Sequence, residues 1–298
     1  MPRAVSWIWM YCAVHVALGA IAYAHFLITG SYQYLTWYFV IPGTLFFLVT
    51  AAAEFYLAFE CRAGFDVDEP MRMVWTTITL TSSARFLAAT LIFLDHWRFA
   101  RVPASPLLVL GLTPPQSLAE IGEVIGGPIA MVLLAFALGR VLAIQREFGI
   151  LRGLTRADIV LICLIILFTL GEAANIERYL GPAYPRRSVA QAILWMSDPI
   201  LGFLLVEAVL IRRSAHRIGI GLVSKCWGMY VIAIMATLAG DAAIWGAGEE
   251  LFTQNLVPLT WYIWFFVAAA YASAPAYQLA AMKLPQLPRS ELNDSQKT

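Results

Sequence analysis

Long apolar runs separated by short polar turns dominate this chain. Eight of them reach the roughly 20 residues that a helix needs to cross the hydrocarbon of a bilayer. They lie at approximately 6–28, 36–59, 73–96, 119–142, 157–178, 189–211, 223–246 and 257–281. Backbone N–H and C=O groups find no water in lipid, so each run is predicted to be helical. The expected fold is all-α: a polytopic integral membrane bundle of about eight transmembrane helices, forming one domain over residues 1–282, with a short polar tail at 283–298. Only one connection is long, RVPASPLLVLGLTPPQS at 101–117. Its apolar centre is too brief to cross, which predicts an interfacial or re-entrant piece.

Composition agrees with the pattern. Hydrophobic residues make up 60% of the 298, charged residues 13%, and the mean hydropathy is +0.73, outside the range of soluble domains. A net charge of +1 with three scattered lysines offers no basic field for nucleic acid. Cys12, Cys61, Cys163 and Cys226 show no C-x-x-C spacing and read as small core residues. Basic residues set the orientation. With a cytoplasmic N-terminus, fourteen Lys and Arg side chains fall in inner segments, and only Arg98, Arg101, Arg178, Arg186 and Arg187 fall in outer loops. Both termini are therefore expected in the cytoplasm of a cell (plasma or inner) membrane protein. Trp37, Trp97 and Trp245 fall near the outer boundary and Trp7, Trp75 and Trp227 near the inner one, where indole rings favour headgroup depth. The first span has an alternative reading as a cleavable signal peptide, with MPR before it and AYA at 22–24, against which Tyr11 and His15 inside the run speak.

Two spans share a motif, TLGEAANIE at 169–177 and TLAGDAAIW at 237–245. Each follows a similar partner, GPIAMVLLAFALGR from Gly127 and DPILGFLLVEAVLIRR from Asp198, which predicts a repeated helical hairpin, with a fainter third copy from Pro42. Charges inside spans are expected to face the bundle interior and find partners. Arg85 lies near the middle of the third span; Glu123, Glu172, Asp198 and Asp241 lie between the middle and the outer boundary of theirs. Glu54 and Glu207 lie toward the inner boundary. The stripe Thr77, Thr81, Arg85, with Ser82 beside it, adds hydroxyls. These residues predict an acidic polar cavity in the outer half, with Arg85 as its floor and Glu172 and Asp241 facing each other or Arg85. One guanidinium neutralises one or two carboxylates, so the remainder suit protons or a cationic ligand. The same acids also have a purely structural use, holding helices together by hydrogen bonds.

Sharper chemistries find little support. There is no G-x-S-x-G, H-E-x-x-H, Walker loop or aspartate-rich cluster, and no lysine deep in the last two spans for a retinal. No catalytic residue, metal or cofactor is expected. His25 and His96, both near the outer boundary, keep open a haem or metal site. The hairpin from Pro199 to Trp245, with its basic turn and the later GDAAIW, resembles the multi-pass transmembrane sensor regions of bacterial histidine kinases and diguanylate cyclases. That resemblance implies signalling, yet only KLPQLPRSELNDSQKT follows the last span, so output would pass to a separate cytoplasmic or membrane partner. The function expected is thus a non-catalytic membrane receptor or binding subunit for a small ligand or protons. A proton- or cation-coupled small-molecule transporter is the alternative, disfavoured by the lack of broken helices, and a haem-bearing redox subunit comes third.

Overall fold

A computed structural model describes residues 1–99, 118–151, 153–183, 189–217, 221–253 and 257–283. The 101–117 segment and most of the tail lie outside them. The described residues form eight long helices and no strand: α1 (Arg3–Thr29), α2 (Gln33–Ala63), α3 (Pro70–Phe99), α4 (118–147), α5 (Arg156–Ala183), α6 (Val189–Arg217), α7 (Gly221–Thr253) and α8 (Val257–Met282). Every apolar run read from the sequence falls within one helix. Five of them, α1 to α4 and α7, are long and apolar enough to cross a membrane.

Six helices close into a ring in the order α2, α3, α4, α6, α7, α8, with α8 returning to α2. Outside it, α1 leans on α8 and α2, and α5 on α6 and α7. The buried residues of α1, Val5, Ile8, Cys12, His15, Gly19, Ala22 and Phe26, alternate steps of three and four, which makes a single packed stripe. Trp7, Met10, Val14, Leu18 and Ile21 face outward, as do Ile159, Val160, Leu164, Leu167 and Leu170 on α5. An outward surface of that kind fits a membrane location. Lipid removes the hydrophobic drive between helices, so close approach rests on small side chains. Helix α8 supplies Ala269, Ala270, Ala272, Ser273, Ala274 and Ala276, all buried, and a Cβ on Gly240 of α7 would meet Ile263 and Trp264 of α8 at 3.2–3.3 Å.

One end of the bundle is basic and stitched by side chains. Arg72 donates to the Phe65 carbonyl within the α2–α3 turn at 2.9 Å, and Ser214 of α6 donates to Gln145 of α4 at 2.5 Å. Thr155 and Asp158 form a reciprocal cap at the start of α5: Asp158 Oδ2 accepts from the Thr155 N–H at 2.7 Å, and Thr155 Oγ1 accepts from the Asp158 N–H at 3.3 Å. Arg213 of α6 closes onto the same Asp158 carboxylate.

Three features go beyond the sequence pattern. Trp75 and Trp227 are fully buried in the bundle, whereas Trp7, Trp37 and Trp97 are exposed; Trp245's side chain lies outside the described set. Cys163 is exposed on α5, unlike the other three cysteines. Finally, α2 and α4 each widen into a five-residue π-helical turn, Phe39–Gly43 and Ile125–Ile129, with Pro42 and Pro128 at the fourth position. Proline lacks the N–H of the helical ladder, and the widened turn absorbs that loss without a break. Pro199 sits instead in uninterrupted α-helix. The structural likeness thus joins Pro128 to Pro42, whereas the sequence pattern paired Pro128 with Pro199.

Candidate functional site

The ring encloses an ion pair between α2 and α3. Helix α2 buries Thr50, Ala51, Glu54, Ala58 and Cys61, a stripe of mostly small residues one helical face wide. That stripe carries Glu54 into the bundle, 3% exposed. Arg85, near the middle of α3, reaches it: Nη1 donates to Glu54 Oε1 at 2.9 Å, with side-chain exposures of 13% and 5%. Ser82 Oγ lies 3.0 Å from the same oxygen and 3.0 Å from the Ile78 carbonyl, so its one proton serves either. From α8, the Tyr271 ring lies flat against the guanidinium, whose carbon is 3.5 Å from the ring centroid. Tyr230 of α7 stands behind it, ring centroids 6.1 Å apart, and the Tyr271 phenol also meets Thr237 of α7.

Four ring helices therefore converge on one charge pair. The geometry combines a charge-assisted hydrogen bond with a cation–π contact, both strengthened by exclusion of water. Pro275 follows Tyr271 by four residues and cannot donate to its carbonyl, so α8 lacks a rung of its ladder at the residue that caps Arg85. One turn further on, Cys61 donates to the Pro275 carbonyl at 3.3 Å, tying α2 to α8 there. Replacing Tyr271 by phenylalanine is expected to cost about 1 kcal/mol through the lost contact with Thr237, whereas Tyr271→Leu also removes the π face and costs about 2 kcal/mol more, measured by thermal unfolding in one detergent.

The five residues expected to form the site are placed as follows. Arg85 is half-buried and bound to Glu54. Glu123 is exposed on α4, just before its π-helical turn; Asp198 is 2% exposed on α6; Asp241 is half-buried on α7. Glu172 lies on α5, outside the ring, and its side chain is beyond the described residues. The carboxylate bonded to Arg85 thus comes from α2, at a depth first set aside as too near the inner boundary. Glu54 stands about 14 Å from the end of α2 and Arg85 about 22 Å from the start of α3; the two long side chains close that offset. The signal was present, since Glu54 shares the face of Thr50, Ala58 and Cys61. Of the hydroxyl stripe, Ser82 alone is bonded to a neighbouring helix; Thr77 and Thr81 bond the carbonyls four residues back, at Met73 and Thr77.

Three of the histidines each have their own neighbours. His25 packs on Tyr34 between α1 and α2, and His96 Nδ1 is 2.8 Å from the Ile92 carbonyl on α3. His15 is buried among Tyr11, Phe46, Tyr38 and Phe265, with the Tyr38 hydroxyl donating to its backbone carbonyl. That hydroxyl has a single proton, so the 3.3 Å contact from Nδ1 makes Nδ1–H the donor. Among the described residues no group of three or more metal-ligating side chains gathers. Comparisons with protein-family models, with characterised proteins and with solved structures found no match.

Proposed function

We propose that the protein is a non-catalytic receptor or binding subunit of the cell membrane, crossing it eight times with both ends in the cytoplasm. Its signal is a proton or a small charged ligand acting on the Arg85–Glu54 centre. The observation that carries this reading is the convergence of α2, α3, α7 and α8 on one enclosed ion pair. Protonating Glu54, or drawing Arg85 to another carboxylate, removes the attraction that sets how those helices pack. The α2–α3 turn, with Asp66, Asp68 and Glu69 facing outward, then carries the change to a protein partner. This reading extends the resemblance to signalling sensor regions without requiring an output domain in the same chain.

Amide exchange in reconstituted vesicles tests it. Acidification is expected to change protection across residues 64–69 in the wild type and not in Glu54→Gln, beyond the intrinsic pH dependence common to both. Equal responses of the two proteins reject the reading. The two proline-centred π-helical turns favour a transporter as the second reading, because a widened turn is a local irregularity of the kind often found at functional sites, although neither helix is broken there. Net pH-driven flux in the same vesicles, abolished by Glu54→Gln, would establish it instead.

A further inference from the structure

A second buried acid has no use in the site above. Glu207, on α6, is 5% exposed, and its Oε2 is a buried atom without a hydrogen-bond partner among the described residues. It lies in the seam with α4, at Gly139: a Cβ on that glycine would stand 3.2 Å from Glu207 Oε1, tighter than ordinary contact. Glycine lets the α4 backbone approach the carboxyl, and no side chain at 139 shields or pairs it.

Among the described residues, the charged and titratable groups around α6 do not supply a counter-ion. On α4, Arg140 extends to the Met73 sulfur of α3, while Arg146 and Glu147 lie at the basic end. On α5, Asp158 is taken by Arg213, and Cys163 faces outward. On α7, Lys225 is exposed, Cys226 is a buried free cysteine, and the Tyr230 hydroxyl has no hydrogen-bond partner among the described residues. Arg85 is committed to Glu54 on α2. An unpaired carboxylate in such a place is far costlier than a neutral carboxylic acid, so the group keeps its proton or the seam must admit water.

We propose that Glu207 is a proton-binding site, a neutral carboxylic acid sealed in the α4–α6 seam, and that losing its proton opens that seam. Infrared absorption of the full-length protein in detergent tests it. The wild type at neutral pH is expected to show a protonated-carboxyl carbonyl band that Glu207→Gln lacks. Raising the pH removes the band and at the same time speeds amide exchange around Gly139 beyond its intrinsic rise; in Glu207→Gln only the intrinsic rise is left. Identical carbonyl regions in the two proteins overturn the site, and loss of the band without faster exchange overturns the seam. If Glu207→Gln does not fold, Gly139→Ala decides: its methyl meets Oε1, so the band must shift in frequency, and an unshifted band overturns the proposal.

Discussion

Arg85→Leu is expected to lower the unfolding free energy by about 3–5 kcal/mol, the range for removing one member of a buried ion pair. Leucine leaves Glu54 at 3% exposure with, among the described residues, the Ser82 hydroxyl as its one hydrogen-bond partner, and it removes the cation from the Tyr271 face. The large effect comes from the stranded carboxylate more than from the lost attraction. Arg85→Leu combined with Glu54→Leu is therefore expected to recover much of the loss, because two apolar side chains need no solvation. Glu54→Leu alone falls between, since the arginine stem keeps its packing and its stacking on Tyr271. Chemical unfolding of the four proteins in one detergent gives the coupling free energy directly. A double substitution as unstable as Arg85→Leu would mean that the pair is not the source of the stability.

How much of this was legible beforehand follows from what lipid demands. A helix crossing hydrocarbon must be long, apolar and internally bonded, so length and composition alone located all eight helices and their order. Ring closure is another matter. Helix α8 returns to α2, and Tyr271 meets Arg85 across 186 positions of chain, which no local period encodes. The Glu54–Arg85 bond was not visible to a depth count along helix axes, because arginine and glutamate together bridge most of a turn and a half. The face of Glu54 was readable, since Ala51, Ala58 and Cys61 mark the side of α2 that packs closest. The repeat rested on the motif shared by 169–177 and 237–245 and on the similar spans before them, yet what separates Pro42 and Pro128 from Pro199 is how each helix accommodates the missing N–H, a backbone response set by its neighbours.

The seam between α3 and α4 supplies the second large effect. Gly122 and Gly126 stand one turn apart, a small-xxx-small pair, and both face Ala88 of α3. A Cβ at 122 would come within 2.9 Å of the Ala88 carbonyl oxygen and 3.0 Å of Ile92 Cγ1; one at 126 would come within 2.7 Å of the Ala88 Cβ. Two of these neighbours are backbone or a Cβ fixed to it, so no side-chain rotation relieves them. Gly122→Ala and Gly126→Ala are each expected to cost about 1–3 kcal/mol by overpacking, despite alanine's better helix propensity. Gly127→Ala is the control for the seam, because no atom of another helix lies within 4 Å of a Cβ there, so its cost is limited to what the following Pro128 ring imposes on a helical alanine. The contrast between adjacent positions 126 and 127 isolates the seam from any general effect on α4. Ala88 follows Arg85 by three residues on the same helix, so a displaced α3 also strains the Arg85–Glu54 bond. The double glycine substitution should therefore lose less when placed on Arg85→Leu/Glu54→Leu than on the wild type. Equal losses on both backgrounds would show that the seam and the ion pair are energetically independent.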